Sequence, residues 1–329
     1  MLTKRQNLLE TIRGGSPDRF VKQYEFLNFI MEAPMDIAIT APGTEKKTGW
    51  GITIRWTEGQ IGSFPVHDKE HIVLPDISRW KEFVKAPSPK YSEEEWEAAI
   101  LHANSVDRKE EYVTAFFAPG LFEQTHYLMG MENALAAYYE DPEAMHELID
   151  YITEYELAYA KEVTSHIHPD ALFHHDDWGS QRASFISPEM FNEFFLPSYK
   201  KIYQFYRDNG VDLIVHHCDS YAANLVPAMI EMGVDIWQGV MTTNNTPELI
   251  KKYGGQISFM GDIDSGVIDF PGWTREIIAK NVEEACRRNG KLYFIPSASQ
   301  GLNISSFPGV YETTDEEIDR VNREIFPTL

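Results

Sequence analysis

Residues 213–264 read LIVHHCDSYAANLVPAMIEMGVDIWQGVMTTNNTPELIKKYGGQISFMGDID. Three short apolar runs begin here at about 213, 235 and 257, each closing on polar or glycine-containing residues, with amphipathic stretches between them. A regular step of this kind is what consecutive strand–helix units give, and strands that read as near-continuous apolar runs belong to a parallel sheet covered on both faces. Outward from this segment the same alternation continues. Further runs lie at Tyr112 to Phe117, Ala171 to His174 and Leu292 to Ile295, and helical patterns at Pro142 to Ser165, Pro188 to Asn209, Ala222 to Met232 and Trp273 to Asn289. Ser187-Pro188-Glu189 and Asp141-Pro142-Glu143 have the form of helix starts: a capping side chain, proline at the first position, then an acid facing the dipole. Asn209-Gly210 and Asn289-Gly290 have the form of helix stops. Six strands are visible from residue 110 onward, with one or two more expected before it. No GxGxxG turn points to a dinucleotide fold. The expected fold is an α/β, (β/α)8 TIM barrel, a single domain over residues 1–329 with an N-terminal helical extension. Residues 42–73, where TGWGITIRW and GQIGSFPVHD mix aromatic, polar and glycine residues, are expected to form a small β-hairpin insertion over the barrel mouth.

Composition narrows the functional classes. At 43% hydrophobic and 24% charged residues, the 329-residue chain can bury a large core. Its 51 acidic residues outnumber 29 basic ones, for a net charge of −22, and no Lys/Arg run is present, which argues against nucleic acid as a partner. Two cysteines, Cys218 and Cys286, make no disulfide framework and suit a reducing compartment. The N-terminus lacks the apolar stretch of a signal peptide and no window reaches the length of a membrane span, so a soluble, cytoplasmic protein is expected.

In a barrel, catalytic groups collect at the C-terminal ends of the strands. Those ends read here as His174-His175-Asp176-Asp177, His216-His217-Cys218-Asp219, Gln238, Gly261-Asp262-Ile263-Asp264 and Ser297-Ala298-Ser299-Gln300. Four of the 11 histidines and one of the two cysteines fall at two of these ends. That clustering singles the ends out as the place for chemistry. Residues i and i+2 of a strand share a face, so His216 and Cys218 can address one ion, for which Zn2+ accepts both imidazole and thiolate; from spacing alone, a buried cysteine beside a hydrogen-bonded histidine is the commoner arrangement. On the zinc reading, His217 faces the barrel wall or a helix. Within His174–Asp177, Asp177 is the leading acid/base candidate because the Trp178-Gly179 turn follows it, although one of the two acids can instead cap a helix. Asp262 and Asp264 carry the same ambiguity. Glu123, after Pro119-Gly120-Leu121-Phe122, is either a pocket carboxylate or a helix N-terminal charge. Cys286 reads as structural, and no GxSxG, P-loop or HExxH motif is present.

These blocks resemble the uroporphyrinogen decarboxylase superfamily, within it the cobalamin-dependent (corrinoid-dependent) methyltransferase branch. The resemblance rests on SPDR at 16–19, APGLFEQTHYLMGMENAL at 118–135, DDWGSQRASFISPEMFNEFFLPSYKKI at 176–202, HHCDSYAANLVPAMIEMGVDIWQGV at 216–240, GDIDSG at 261–266 and YFIPSASQGL at 293–302. Decarboxylases of the superfamily hold a polycarboxylate with arginines near the N-terminus, and residues 21–34 here contain none. Burying such a substrate without positive charge is unfavourable. Thiol-directed methyltransferases of the branch hold zinc with His-x-Cys and a distant cysteine, and residues 296–299 lack that cysteine. The resemblance then implies an O-demethylase-like enzyme that moves a methyl group between a small methylated substrate, such as an aryl methyl ether or a methylamine, and cobalamin carried by a partner protein. It implies zinc on His216 and Cys218 as metal ligands, with Asp177, Asp262 and Glu123 as catalytic candidates. His175, Trp178, Trp237, Gln238 and Trp56 are substrate-binding candidates, and Trp50 and Phe64 add to the aromatic surface. A decarboxylase or other lyase acting on a small carboxylate is the alternative, and a barrel retained for binding alone is the non-enzymatic one.

Overall fold

The computed structural model describes residues 1–60 and 62–326; Ile61, inside the expected insertion, and residues 327–329 lie outside the described residues. Ten strands are described: β1 (Leu27–Phe29), β2 (Glu45–Lys47), β3 (Thr53–Arg55), β4 (Phe64–Pro65), β5 (Tyr112–Phe117), β6 (Ala171–His175), β7 (Leu213–His217), β8 (Ile236–Val240), β9 (Ser258–Ile263) and β10 (Phe294–Ala298). Seven form one curled sheet in the order β1-β5-β6-β7-β8-β9-β10, all pairs parallel. The architecture is TIM-barrel-like, with seven described strands in place of the expected eight. Gln23, just ahead of β1 in the chain, binds the outer edge of β10. Its backbone N–H donates to the Pro296 carbonyl (3.3 Å) and its side-chain oxygen accepts from the Ala298 N–H (3.2 Å).

Side-chain alternation divides the core in two. Phe29, Tyr112, Phe116, Ala171, Phe173, Leu213, Val215, Ile236, Met260 and Ile295 fill the barrel interior. Their strand neighbours Val113, Ala115, Leu172, Ile214, Trp237 and Phe259 face the surrounding helices. Both faces are apolar, as a parallel sheet under a helical layer requires. The helices begin as their caps predict: Asp141 accepts from the Ala144 N–H ahead of helix Pro142–Ile167, and Ser187 from the Met190 N–H ahead of Pro188–Phe194. The expected single helix over 188–209 is two, Pro188–Phe194 and Leu196–Asp208. Pro197 stands in the first turn of the second, where a missing N–H costs nothing.

The insertion is a three-stranded antiparallel sheet, β2-β3-β4. Its anchor is the helical layer. Trp50 meets Tyr155 and Tyr151 edge-on at 5.0 and 6.3 Å, and the N–H groups of Val73 and Leu74 donate to the Leu128 carbonyl. Among the described residues no helix is long and apolar enough to cross a membrane.

Candidate active site at the barrel mouth

Strand phase decides which polar ends reach the mouth. In β6 the interior set Ala171 and Phe173 continues to His175; in β7 Leu213 and Val215 continue to His217; in β8 Ile236 continues to Gln238. His217 accordingly stacks over Phe173 (centroids 6.0 Å apart) and lies beside His175 (4.4 Å). Asp177, just past β6, stands between them: its Oδ2 is 3.9 Å from His175 Nε2 and its Oδ1 is 3.9 Å from His217 Nε2. Glu123 comes from the first turn of helix Leu121–Met129, where it is buried, and its Oε2 lies 2.9 Å from His175 Nδ1. Gln238 presents its carbonyl oxygen to His217 Nδ1 and turns its amide towards the Gln300 carbonyl (3.1 Å). Of the candidate residues, His175, Asp177, Glu123 and Gln238 thus come together, joined by His217.

Charge and burial set the protonation of this cluster. Burial pushes the Glu123 carboxyl up to about 7, against the pull of the neighbouring imidazole. Burial alone would lower His175, but the Glu123 and Asp177 carboxylates hold it up at about 10. At neutral pH His175 is therefore an imidazolium, with Nδ1–H bonded to Glu123 and Nε2 turned towards Asp177 and the mouth. His217 is driven the other way, to about 4, by burial and by the positive neighbour His175.

The acids at 176 and 177 split the two roles the sequence left open. Asp176 is fully buried and accepts from the N–H groups of Phe122 (2.9 Å) and Glu123 (2.8 Å), from Trp178 Nε1 (2.9 Å) and from the Tyr199 hydroxyl. It caps the helix that carries Glu123. A Cβ on Gly120 would lie 2.5 Å from Asp176 Cβ, so only glycine lets the two loops approach this closely. Asp177 is a quarter exposed and has one oxygen fixed by the Asp219 N–H (2.8 Å).

Other candidates lie elsewhere. His216 faces the helices rather than the mouth: its Nδ1 is 2.6 Å from the Tyr203 hydroxyl, its Nε2 is 3.4 Å from the Asp176 carbonyl, and Trp178 stacks on its ring at 4.2 Å. Cys218 is fully buried, with its sulfur against the Trp178 N–H (3.4 Å) and the Ser220 hydroxyl (2.9 Å); burial pushes its thiol well up. Both imidazole nitrogens and the sulfur are already engaged, so this pair does not fit the zinc expected of it. Trp178 and Trp237 are fully buried structural groups, with Trp237 Nε1 donating to the Cys218 carbonyl (2.9 Å), and neither lines the mouth. Asp262 is also displaced. Alternation from Met260 would aim it inward, but its φ of +60° swings the carboxylate out to Arg288, Asn289 and the Thr246 hydroxyl (3.0 Å). Asp264 accepts from the Thr242 N–H (2.9 Å) and hydroxyl. Trp56 lies just after β3 in the insertion and donates to the Gln60 carbonyl (3.0 Å). The residue that sequence reasoning passed over is His217. In the structure it shares the interior face of β7 with Leu213 and Val215.

A TIM-barrel-like, curled parallel sheet of seven described strands, with a histidine–carboxylate cluster at its C-terminal mouth, defines the class. The uroporphyrinogen decarboxylase (URO-D) family model matches residues 48–307, and the chain belongs to that family. In structure it is similar to a methyltransferase from Methanosarcina mazei, with a TM-score of 0.68 at 14% identity over 98% of this chain and 99% of that one. No curated protein matches the sequence significantly.

Proposed function

We propose that the chain is a corrinoid-dependent methyltransferase, moving a methyl group between a small methylated substrate, such as an aryl methyl ether, and cobalamin carried by a partner protein. The observation that carries this reading is the cationic His175, held by Glu123 and open to the mouth through Nε2. When the partner brings it, the reduced corrinoid supplies the electron pair that accepts the methyl group. The C–O bond breaks, the oxygen keeps its electron pair, and that oxygen needs a positive group beside it. His175 Nε2–H can donate the proton, and Asp177, 3.9 Å away, steadies the imidazolium beforehand. His175 and Asp177 are each about a quarter exposed (25% and 28%), so a carrier docked over the mouth has access to them.

The URO-D family name and the structural similarity to a methyltransferase support a reaction of this superfamily. A lyase acting on a small carboxylate is the second reading, since the same imidazolium is a counter-ion for a carboxylate. The two separate in one assay. The purified protein is supplied with methoxyarenes and methylamines in the presence of reduced corrinoid protein, and in parallel with small carboxylates. Demethylation that requires the corrinoid supports the proposal; carbon dioxide release without corrinoid overturns it.

A further inference from the structure

We infer that His175 Nε2, Asp177 and His217 Nε2 form a divalent-metal site at the barrel mouth, distinct from the His216 and Cys218 pair. The three side chains each offer a ligand atom, all within 4.8 Å of one another. Ligand atoms around a four-coordinate ion with bonds of about 2.05 Å lie roughly 3.3 Å apart, so side-chain adjustments of about an ångström would close the set.

Two independent features point to an ion rather than to a chance cluster. The first is the outer partner of each imidazole. His175 Nδ1 is held by the Glu123 carboxylate (2.9 Å) and His217 Nδ1 by the Gln238 side-chain oxygen. An acceptor at Nδ1 keeps the hydrogen there and turns the Nε2 position towards the ligand, the arrangement seen around metal-bound histidines. Gln238 is itself fixed by the Gln300 carbonyl (3.1 Å), so the outer partner is positioned in turn. The second is Gly301. A Cβ there would lie 2.8 Å from both Cε1 and Nε2 of His217, so only glycine leaves room beside the Nε2 side of that ring.

Two imidazoles and one carboxylate, with Asp177 and His175 partly open to solvent, make a site with free coordination positions. That donor set suits zinc or another borderline transition metal. The ion would take the place of the proton on His175 Nε2 and supply the same positive charge to a departing oxygen. In that respect the inference deepens the methyl-transfer reading, but ion binding is measured without any methyl donor, so either can fail alone.

The test is calorimetric titration of the chelator-stripped, full-length protein with Zn2+, alongside absorption spectra with Co2+. One ion per chain is expected. Affinity should fall at least about tenfold in His217→Ala and Gly301→Ala, and by about ten- to a hundredfold in Glu123→Leu, which removes only an outer partner. Cys218→Ala should bind as the unaltered protein does, and thermal melts identify any variant that has lost its fold. Failure of the unaltered protein to bind Zn2+ or Co2+ would overturn the inference. So would a thiolate-to-cobalt charge-transfer band that disappears in Cys218→Ala.

Discussion

Glu123 Oε2 lies 2.9 Å from His175 Nδ1, joining the helix after β5 to the end of β6 and fixing which edge of the imidazole faces the barrel mouth. The pair converts two residues 52 positions apart into one proton-holding unit. Replacing Glu123 with Gln removes the negative charge that keeps His175 protonated, while a carbonyl oxygen remains to accept from Nδ1. Turnover should fall by about a hundredfold or more, the ordinary contribution of a positioned general acid. Steady-state kinetics beside a thermal melt checks this; an unchanged kcat would remove the pair from the chemistry.

Asp176 and Asp177 should behave oppositely. Asp176→Ala strands two helix N–H groups, the Trp178 indole and the Tyr199 hydroxyl in a buried place. A loss of about 3 kcal/mol or more is expected in urea unfolding. Gly120→Ala, which forces Asp176 aside, should destabilise in the same direction. Asp177→Asn should leave stability within about 0.5 kcal/mol, as partly exposed substitutions usually do, and reduce activity.

Arg288 and Asp262 form an ion pair in which the aspartate is buried and the arginine is partly exposed. Arg288→Met leaves that carboxylate with Asn289 and Thr246 alone. Denaturant unfolding should show a loss of about 2–3 kcal/mol, somewhat below the range for breaking a fully buried pair, with KM and kcat unchanged. A specific collapse of kcat in a folded variant would return Asp262 to the active site.

His126, buried beside Phe122 and Tyr127, is held down to about 3 by burial. Its folded value lies below the unfolded one of about 6.5. The unfolded chain therefore takes up a proton that the folded chain refuses, and the stability present above pH 6.5 is lost progressively as pH falls towards 3. His126→Phe should flatten the pH dependence of unfolding by up to about 1.4 kcal/mol per pH unit in that window. NMR titration should show His126 neutral at pH 5; an ordinary imidazole titration would contradict this.

Much of the frame was legible from the alternating runs and caps, because apolar strand segments, Asp141-Pro142 and Ser187-Pro188 act locally. The phase of the strands was harder to read. In LIVHHCD both faces are apolar, since one packs on the interior and the other on helices, so nothing in the run itself says whether His216 or His217 looks inward. The spacing of His216 and Cys218 correctly puts both on one face, but that face is the helical one. Trp178 and Trp237 follow the same logic as large apolar groups in the helical layer. Asp262 was hidden for a different reason: a left-handed backbone at a non-glycine residue breaks the alternation on which its placement depended.

The most direct test of the central claim is single-turnover methyl transfer to reduced corrinoid, followed by its absorbance change, for the unaltered protein and for Asp177→Asn and Arg288→Met. The account predicts transfer from at least one methoxyarene or methylamine, slowed about a hundredfold or more in Asp177→Asn and preserved in Arg288→Met. Transfer that proceeds unchanged in Asp177→Asn, or no transfer from any donor by the unaltered protein, would contradict it.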